Sequence, residues 1–275
     1  MDSALVSRSH VSLNGNHFSV ADSGGNGLSV MFQHGLCGSA AQTIEAFPQD
    51  SGARLITLEC RGHGATPMGP QEQVSIASFA DDVLDLHQHL RLSTVVVGGI
   101  SMGAAIALRI AVKQPDLVKA LILVRPAWGV SSNPANMQPN AVVGELLARM
   151  SSDEARAAFL KTDIARTLQA DAPDNLVSLL GFFERQPLTE TATLLRNISA
   201  DGPGISAADM RRISVPTLVV GHAKDAIHPL ALSRQVADNI PHARFVEITP
   251  KATDKTLYLQ ELHGAIQSFL KAIQS

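Results

Sequence analysis

Six short apolar runs recur along the chain with helical patterns between them: GLSVMFQ (27–33), RLITLEC (54–60), TVVVGGI (94–100), KALILVR (119–125), VPTLVVG (215–221) and ARFVEIT (243–249). Each is nearly continuous rather than alternating, which is how a strand covered on both faces reads. Between the second and third runs, Ile76, Phe79, Val83, Leu86 and Leu90 recur at steps of three and four and place one apolar stripe on a helix. Tyr258, Leu262, Ile266, Phe269 and Leu270 form a similar stripe near the carboxyl end, the pattern of a core-packing final helix. The alternation of strands and helices predicts an α/β fold with a mostly parallel, eight-stranded sheet flanked by helices. The two remaining strands are expected from SALVSR and HFSVAD near the start, as an antiparallel edge pair.

The pattern breaks after the sixth strand. From about Gly129 to about Met210 no strand is evident, and helical stretches are divided by NPAN, QPN, DAPDN and DGPG. The expected organisation is a core of residues 1–128 and 211–275 carrying a helical cap of residues 129–210. Two apolar stripes mark the cap helices, one of Val142, Val143, Leu146, Leu147 and Met150, the other of Leu176, Leu179, Leu180, Phe182 and Phe183.

A length of 275 residues suits one large domain with an insertion. Hydrophobic residues at 45% and a formal charge of −3 lack the basic excess that nucleic acid demands. With no run of about 18 uninterrupted apolar residues and no secretion signal in MDSALVSRSHVSLNG, membrane association is not expected and the cytoplasm is the expected location. The partner expected is a small-molecule substrate, with self-association into a homo-oligomer left open. Cys37 and Cys60 read as free thiols. The histidines show neither HExxH nor HxxEH spacing, so neither a metal nor another cofactor is expected.

Candidate chemistry concentrates at the ends of the strands. GISMG, Gly99 to Gly103, fits G-x-S-x-G directly after a β-branched strand and before an alanine-rich helix. So sharp a turn strains Ser101, its glycines relieve crowding, and the start of the next helix offers N–H groups beside Oγ. His34-Gly35-Leu36 follows another strand, where a glycine turn can aim the Leu36 N–H at the same point as the Met102 N–H, making a two-donor oxyanion hole. Trp128, the only tryptophan, stands where the chain leaves the sheet for the cap, and with His34 it is a candidate substrate-binding residue. Arg125, at the end of the sixth strand, reads either as a carboxylate binder or as an ordinary paired arginine.

With HGLCG, RGHG (61–64), GISMG and GHAKDAIHP (221–229) in this order, nearly the whole chain resembles the α/β-hydrolases of the lid-bearing esterase and peptidase-like group. The resemblance implies Ser101 as nucleophile, Leu36 and Met102 as oxyanion donors, Asp225 as the acid and His63 as a turn residue. It also implies a histidine after the last strand, but the corresponding place falls on Ala252 or Thr253. A serine hydroxyl is a poor nucleophile without a base in hydrogen-bond reach. Four readings address the gap: His228 as base from the acid's own loop, His34 as base, a lineage that has lost its base, or a substituted position 252 or 253. His222, His242 and His263 read as surface or core imidazoles.

The leading expectation is a serine hydrolase acting on a small or medium ester, lactone or related acyl compound, with Ser101, Asp225 and His228 as the catalytic set. The alternative is a hydrolase-fold protein with impaired turnover that binds a small ligand. Lyase or cofactor-free oxygenase chemistry in the same pocket stands third.

Overall fold

Strands covered on both faces lose their polar alternation, and the central runs of this chain pair accordingly. The computed structural model describes residues 6–274, and these form one sheet of eight strands. The strands are β1 (Ser7–Leu13), β2 (Asn16–Asp22), β3 (Ser29–Gln33), β4 (Arg54–Leu58), β5 (Val95–Ile100), β6 (Val118–Val124), β7 (Thr217–Gly221) and β8 (Ala243–Glu247). Their order is β1-β2-β4-β3-β5-β6-β7-β8. Only β1 with β2 and β2 with β4 run antiparallel; the other pairs are parallel.

All six apolar runs became strands. The edge pair departs from expectation in its first member, because SALVSR covers residues 3–8 whereas β1 begins at Ser7; residues 1–5 lie outside the described residues. An Asn14-Gly15 turn with φ of 48° and 80° sets Leu13 opposite Asn16 and fixes the register. Such a turn matches the twist of a hairpin. β1 is therefore placed by pairing, since most of its side chains are exposed.

The helices are α1 (Ala40–Ala46), α2 (Ile76–His89), α3 (Met102–Lys113), α4 (Gln138–Leu147), α5 (Ser152–Leu160), α6 (Asp163–Asp171), α7 (Pro173–Gly181), α8 (Leu188–Ala200), α9 (Ala207–Met210), α10 (Leu230–Asn239) and α11 (Lys255–Gln274). Successive strand residues serve opposite faces. Val30 and Phe32 join the core cluster that includes Leu262 and Phe269 of α11, while Met31 joins the one built with α2, α3 and α10.

No strand lies between β6 and β7 among the described residues; α4 to α9 occupy that stretch. These helices have a core cluster of their own, including Val143, Leu147, Phe159, Leu179, Phe183 and Leu195. The expected stripe ran to Met150, but α4 stops at Leu147 and Met150 is exposed. Leu36 and Cys37, from the loop after β3, pack against the same cluster and tie the insertion to the sheet edge.

β3 positions the site. It pairs with β4 on one side and β5 on the other, so the order of strands reverses there. The connections after β3 and β5 depart to opposite faces and leave a crevice beyond the strand ends.

Candidate active site

Ser101 follows β5 directly and precedes α3, with φ of 58° and ψ of −109°. A non-glycine residue held there stores roughly 1–3 kcal/mol of strain, which persists only when neighbours enforce it. The neighbours here are backbone. A Cβ on Gly103 would stand 2.2 Å from the Gln33 oxygen, and one on Gly99 2.5 Å from the Gly103 carbonyl carbon, so strand and helix meet at distances that only glycine permits. Ser101 N donates to the Val124 oxygen at 3.0 Å, fastening the turn to β6.

The loop after β3 faces this turn. A Cβ on Gly35 would lie 3.5 Å from Ser101 Cβ, which measures how closely the two segments approach. Gly35 N donates to Gln42 Oε1 at 2.7 Å and Gly38 N to the Gly35 oxygen at 2.9 Å. The Leu36 N–H is left without an acceptor among the described residues, as is that of Met102, the first residue of α3.

Asp225 and His228 both come from the segment joining β7 to α10. His228 Nε2 stands 2.8 Å from Ser101 Oγ. His228 Nδ1 is 3.0 Å from each Asp225 carboxylate oxygen, and the His228 backbone N donates to Asp225 Oδ1 at 3.0 Å. A carboxylate only accepts, so Nδ1 carries the proton and Nε2 presents its lone pair to the serine hydroxyl. Arg125 Nη2 also lies 3.0 Å from Nδ1, yet its hydrogen bonds go to Asp225 Oδ2, from Nε at 2.9 Å and from Nη2 at 2.5 Å. The arrangement can draw a proton from Oγ to Nε2 while the carboxylate steadies the resulting imidazolium.

The electrostatics favour that state of readiness. Burial opposes ionisation of Asp225, but His228 and Arg125 outweigh it and hold the carboxyl well below the usual range. Burial lowers the His228 pKa; Asp225 pulls it back up and Arg125 pushes it down, leaving the ring below the ordinary histidine value. Burial likewise lowers His34, His63 and His222. Because these rings take protons less readily folded than unfolded, acidification favours the unfolded chain. The stability they allow is fully present above the unfolded histidine value of about 6.5 and is lost as pH falls below it. Thermal melting between pH 7.5 and 5.5 is therefore expected to show a falling Tm, and a Tm that rises toward pH 5.5 would contradict these assignments.

A cavity of about 860 Å³ opens over Ser101, lined by residues of the β3 loop, the insertion and the segments after β7 and β8. Three candidates from the sequence do not line it: Met102, whose side chain is buried in the core and whose expected role is that of its backbone N–H, His34 and Trp128. His34 is fully buried, with Nδ1 donating to the Gly35 oxygen at 2.9 Å and Nε2 accepting from Cys60 N at 3.1 Å. Both nitrogens are thus spent on backbone, which rules the ring out as a base and as a substrate ligand. Trp128 is also fully buried, and its indole N–H donates to the Asp201 oxygen at 2.9 Å, joining the start of the insertion to its end.

Ala252 does line the cavity, so the segment after β8 reaches the site without bringing an imidazole. His222 lines it too, with Nδ1 donating to the Ala223 oxygen at 2.7 Å and Nε2 3.6 Å from Asp225 Oδ2. Two residues that carry site geometry were not singled out from the sequence. Gln42 shapes the β3 loop, and Asn175, inside what read as the helix break DAPDN, donates to Asp225 Oδ1 at 3.0 Å. Neither belongs to a motif, and only the fold brings them near.

Comparison with known proteins agrees with the fold. Residues 29–252 match the family signature of the alpha/beta hydrolase fold, and the chain belongs to that family of hydrolytic enzymes. It is 29% identical over 236 residues to "Putative non-heme bromoperoxidase BpoC" of Mycobacterium tuberculosis, covering 82% of this chain and 87% of that one. To "Putative carbamate hydrolase RutD" of Rhizobium rhizogenes it is 28% identical over 223 residues, covering 78% and 81%. Among solved structures, a thermophilic esterase from Thermogutta terrifontis superposes with a TM-score of 0.72 at 23% identity, covering 98% of this chain and 100% of the other. Among the described residues no helix is long and apolar enough to cross a membrane.

Proposed function

We propose that the protein hydrolyses small or medium-sized esters, lactones or related acyl compounds through a covalent acyl intermediate on Ser101. One observation carries the reading: Ser101 Oγ is 2.8 Å from an imidazole nitrogen whose ring is held from behind by a buried carboxylate. Oγ attacks the carbonyl carbon as its proton passes to His228 Nε2. The carbonyl oxygen becomes an oxyanion that the Leu36 and Met102 N–H groups stabilise. The imidazolium then protonates the leaving alkoxide, the C–O bond breaks, and the acyl group remains on Ser101. Water then attacks the acyl carbon as its proton passes to Nε2, and the imidazolium returns a proton to Oγ as the acyl C–Oγ bond breaks, releasing the acid and restoring Ser101. This chemistry draws on no cofactor.

The charges around the cavity favour an acyl compound with a carboxylate of its own. Arg125 and Asp225 neutralise each other. The remaining lining charges are Arg185, Lys224 and Lys251 against Asp174, a positive balance in a chain whose formal charge is −3. Mono-p-nitrophenyl succinate is therefore expected to be turned over with a higher kcat/KM than p-nitrophenyl acetate at low salt, with the advantage shrinking in 1 M NaCl as screening sets in. Mass spectrometry of the quenched reaction should find the acyl group on the peptide containing Ser101. No adduct and no turnover across neutral and anionic esters would overturn the hydrolase reading in favour of ligand binding.

A further inference from the structure

The acid and base of this site sit three residues apart in one short segment, and what holds that segment comes from elsewhere. Asp225 Oδ2 accepts both Arg125 bonds, so the residue that follows β6 grips one carboxylate oxygen. The other, Oδ1, accepts from Asn175 Nδ2 at 3.0 Å, while Asn175 Oδ1 accepts from Ala226 N at 2.6 Å. Asn175 belongs to α7, within the helical insertion. A second asparagine of the same stretch, Asn136, donates to the Ile227 oxygen at 2.7 Å and to the Ala127 oxygen at 2.9 Å. Every residue from Asp225 to His228 is thereby fixed by a bond to the insertion, to Arg125 or to its own neighbour.

We infer that Arg125 and Asn175 are positioning residues for proton transfer, so that the helical insertion is a working part of the acid-base apparatus as well as a cover for the cavity. The inference rests on the hydrolase reading above. A carboxylate free to rotate would offer Nδ1 one oxygen at varying angles; one gripped at both oxygens keeps the ring aimed at Ser101 Oγ. Arg125 has a second consequence. Its fixed positive charge beside Nδ1 opposes the imidazolium, so His228 stays neutral and able to accept a proton in more acidic solution. The other titratable or charged groups of the same cavity are Asp225, His222 and Lys224 after β7, Asp174 on α7, Arg185 after α7, Lys251 after β8 and Cys37 after β3, with Tyr258 of α11 against the His222 ring.

The test reads the ring directly and then the chemistry. NMR titration of the His228 imidazole in the whole protein is expected to show its pKa raised by about one unit in Arg125→Met, and by less in Arg125→Lys, which keeps the charge but not the fork. With p-nitrophenyl acetate, the acidic limb of kcat/KM should move up in step with that pKa. Asn175→Ala is expected to lower kcat about tenfold with KM little changed, the kinetics being read well below a melting temperature that falls because Asp225 Oδ1 and Ala226 N each lose a partner. An unmoved His228 pKa in Arg125→Met, or kcat retained in Asn175→Ala, would overturn the inference. If Arg125→Met does not fold, the Arg125→Lys titration and the Asn175→Ala kinetics decide it. Because the titration needs no substrate, a shifted pKa with no ester turnover in the wild type would fault the hydrolase reading and leave the electrostatic coupling standing.

Discussion

Ser101→Ala is expected to lower kcat on an activated ester by about 10⁶-fold, the scale reached when the nucleophile of a well-measured serine triad is removed. The loss should be this complete because, among the described residues lining the cavity, Ser101 has the hydroxyl bonded to His228, a bond that Ser39 and Ser178 lack. Cys37 lines the cavity as well, but desolvation pushes that thiol up to about 12, and a protonated thiol is a weak nucleophile. The fold should survive. The hydroxyl's bond to His228 is lost, but the backbone bond to Val124 and the glycine contacts that enforce the turn do not involve Oγ. Steady-state kinetics with p-nitrophenyl acetate, alongside circular dichroism, check both parts; residual activity within tenfold of wild type would mean that Ser101 is not the group that attacks.

His228→Ala is expected to cost nearly as much, since removing the histidine alone disables such a unit about as fully as removing the serine. The prediction depends on there being no second base, and the positions of the other imidazoles support that. His34 has both nitrogens bonded to backbone beneath the oxyanion loop. His222 has one bonded to the Ala223 oxygen and the other turned toward Asp225. The segment after β8 contributes Lys251 and Ala252 to the cavity wall. Added imidazole should restore part of the activity by entering the space the side chain leaves. Kinetics of the variant with and without imidazole provide the check, and a drop smaller than about tenfold would point to a base other than His228.

Much of the fold was legible because buried strands and amphipathic helices leave strong periodic signals. All five residues of the final stripe, Tyr258 to Leu270, are buried in one core cluster, and so are Ile76, Phe79, Val83 and Leu86 in another. β1 was misplaced because its identity lies in the Asn14-Gly15 turn and its pairing with β2, which an apolar pattern does not record. At the site, the strand-to-helix turn at Ser101 was legible because close backbone contact demands glycine at 99 and 103. The role of His228 stayed open in sequence for a physical reason: a histidine three residues past an acid can equally start a helix or face solvent. Its ring is bonded to Asp225, a carboxylate that Arg125 and Asn175, distant in the chain, bond in turn. The same blindness assigned His34 and Trp128 to the substrate; their position along the chain was near the site, but their hydrogen bonds turn them into the scaffold.

On the reading proposed here, proton transfer runs between Ser101 and an imidazole supplied by the acid's own loop. The rate at which a fluorophosphonate modifies Ser101 tests it most directly, since that reaction needs the activated hydroxyl and no particular substrate. Labelling is predicted in the wild type, none in Ser101→Ala, and a rate at least 10³-fold slower, as an order of magnitude, in His228→Ala. Wild-type labelling rates in His228→Ala would place the base elsewhere.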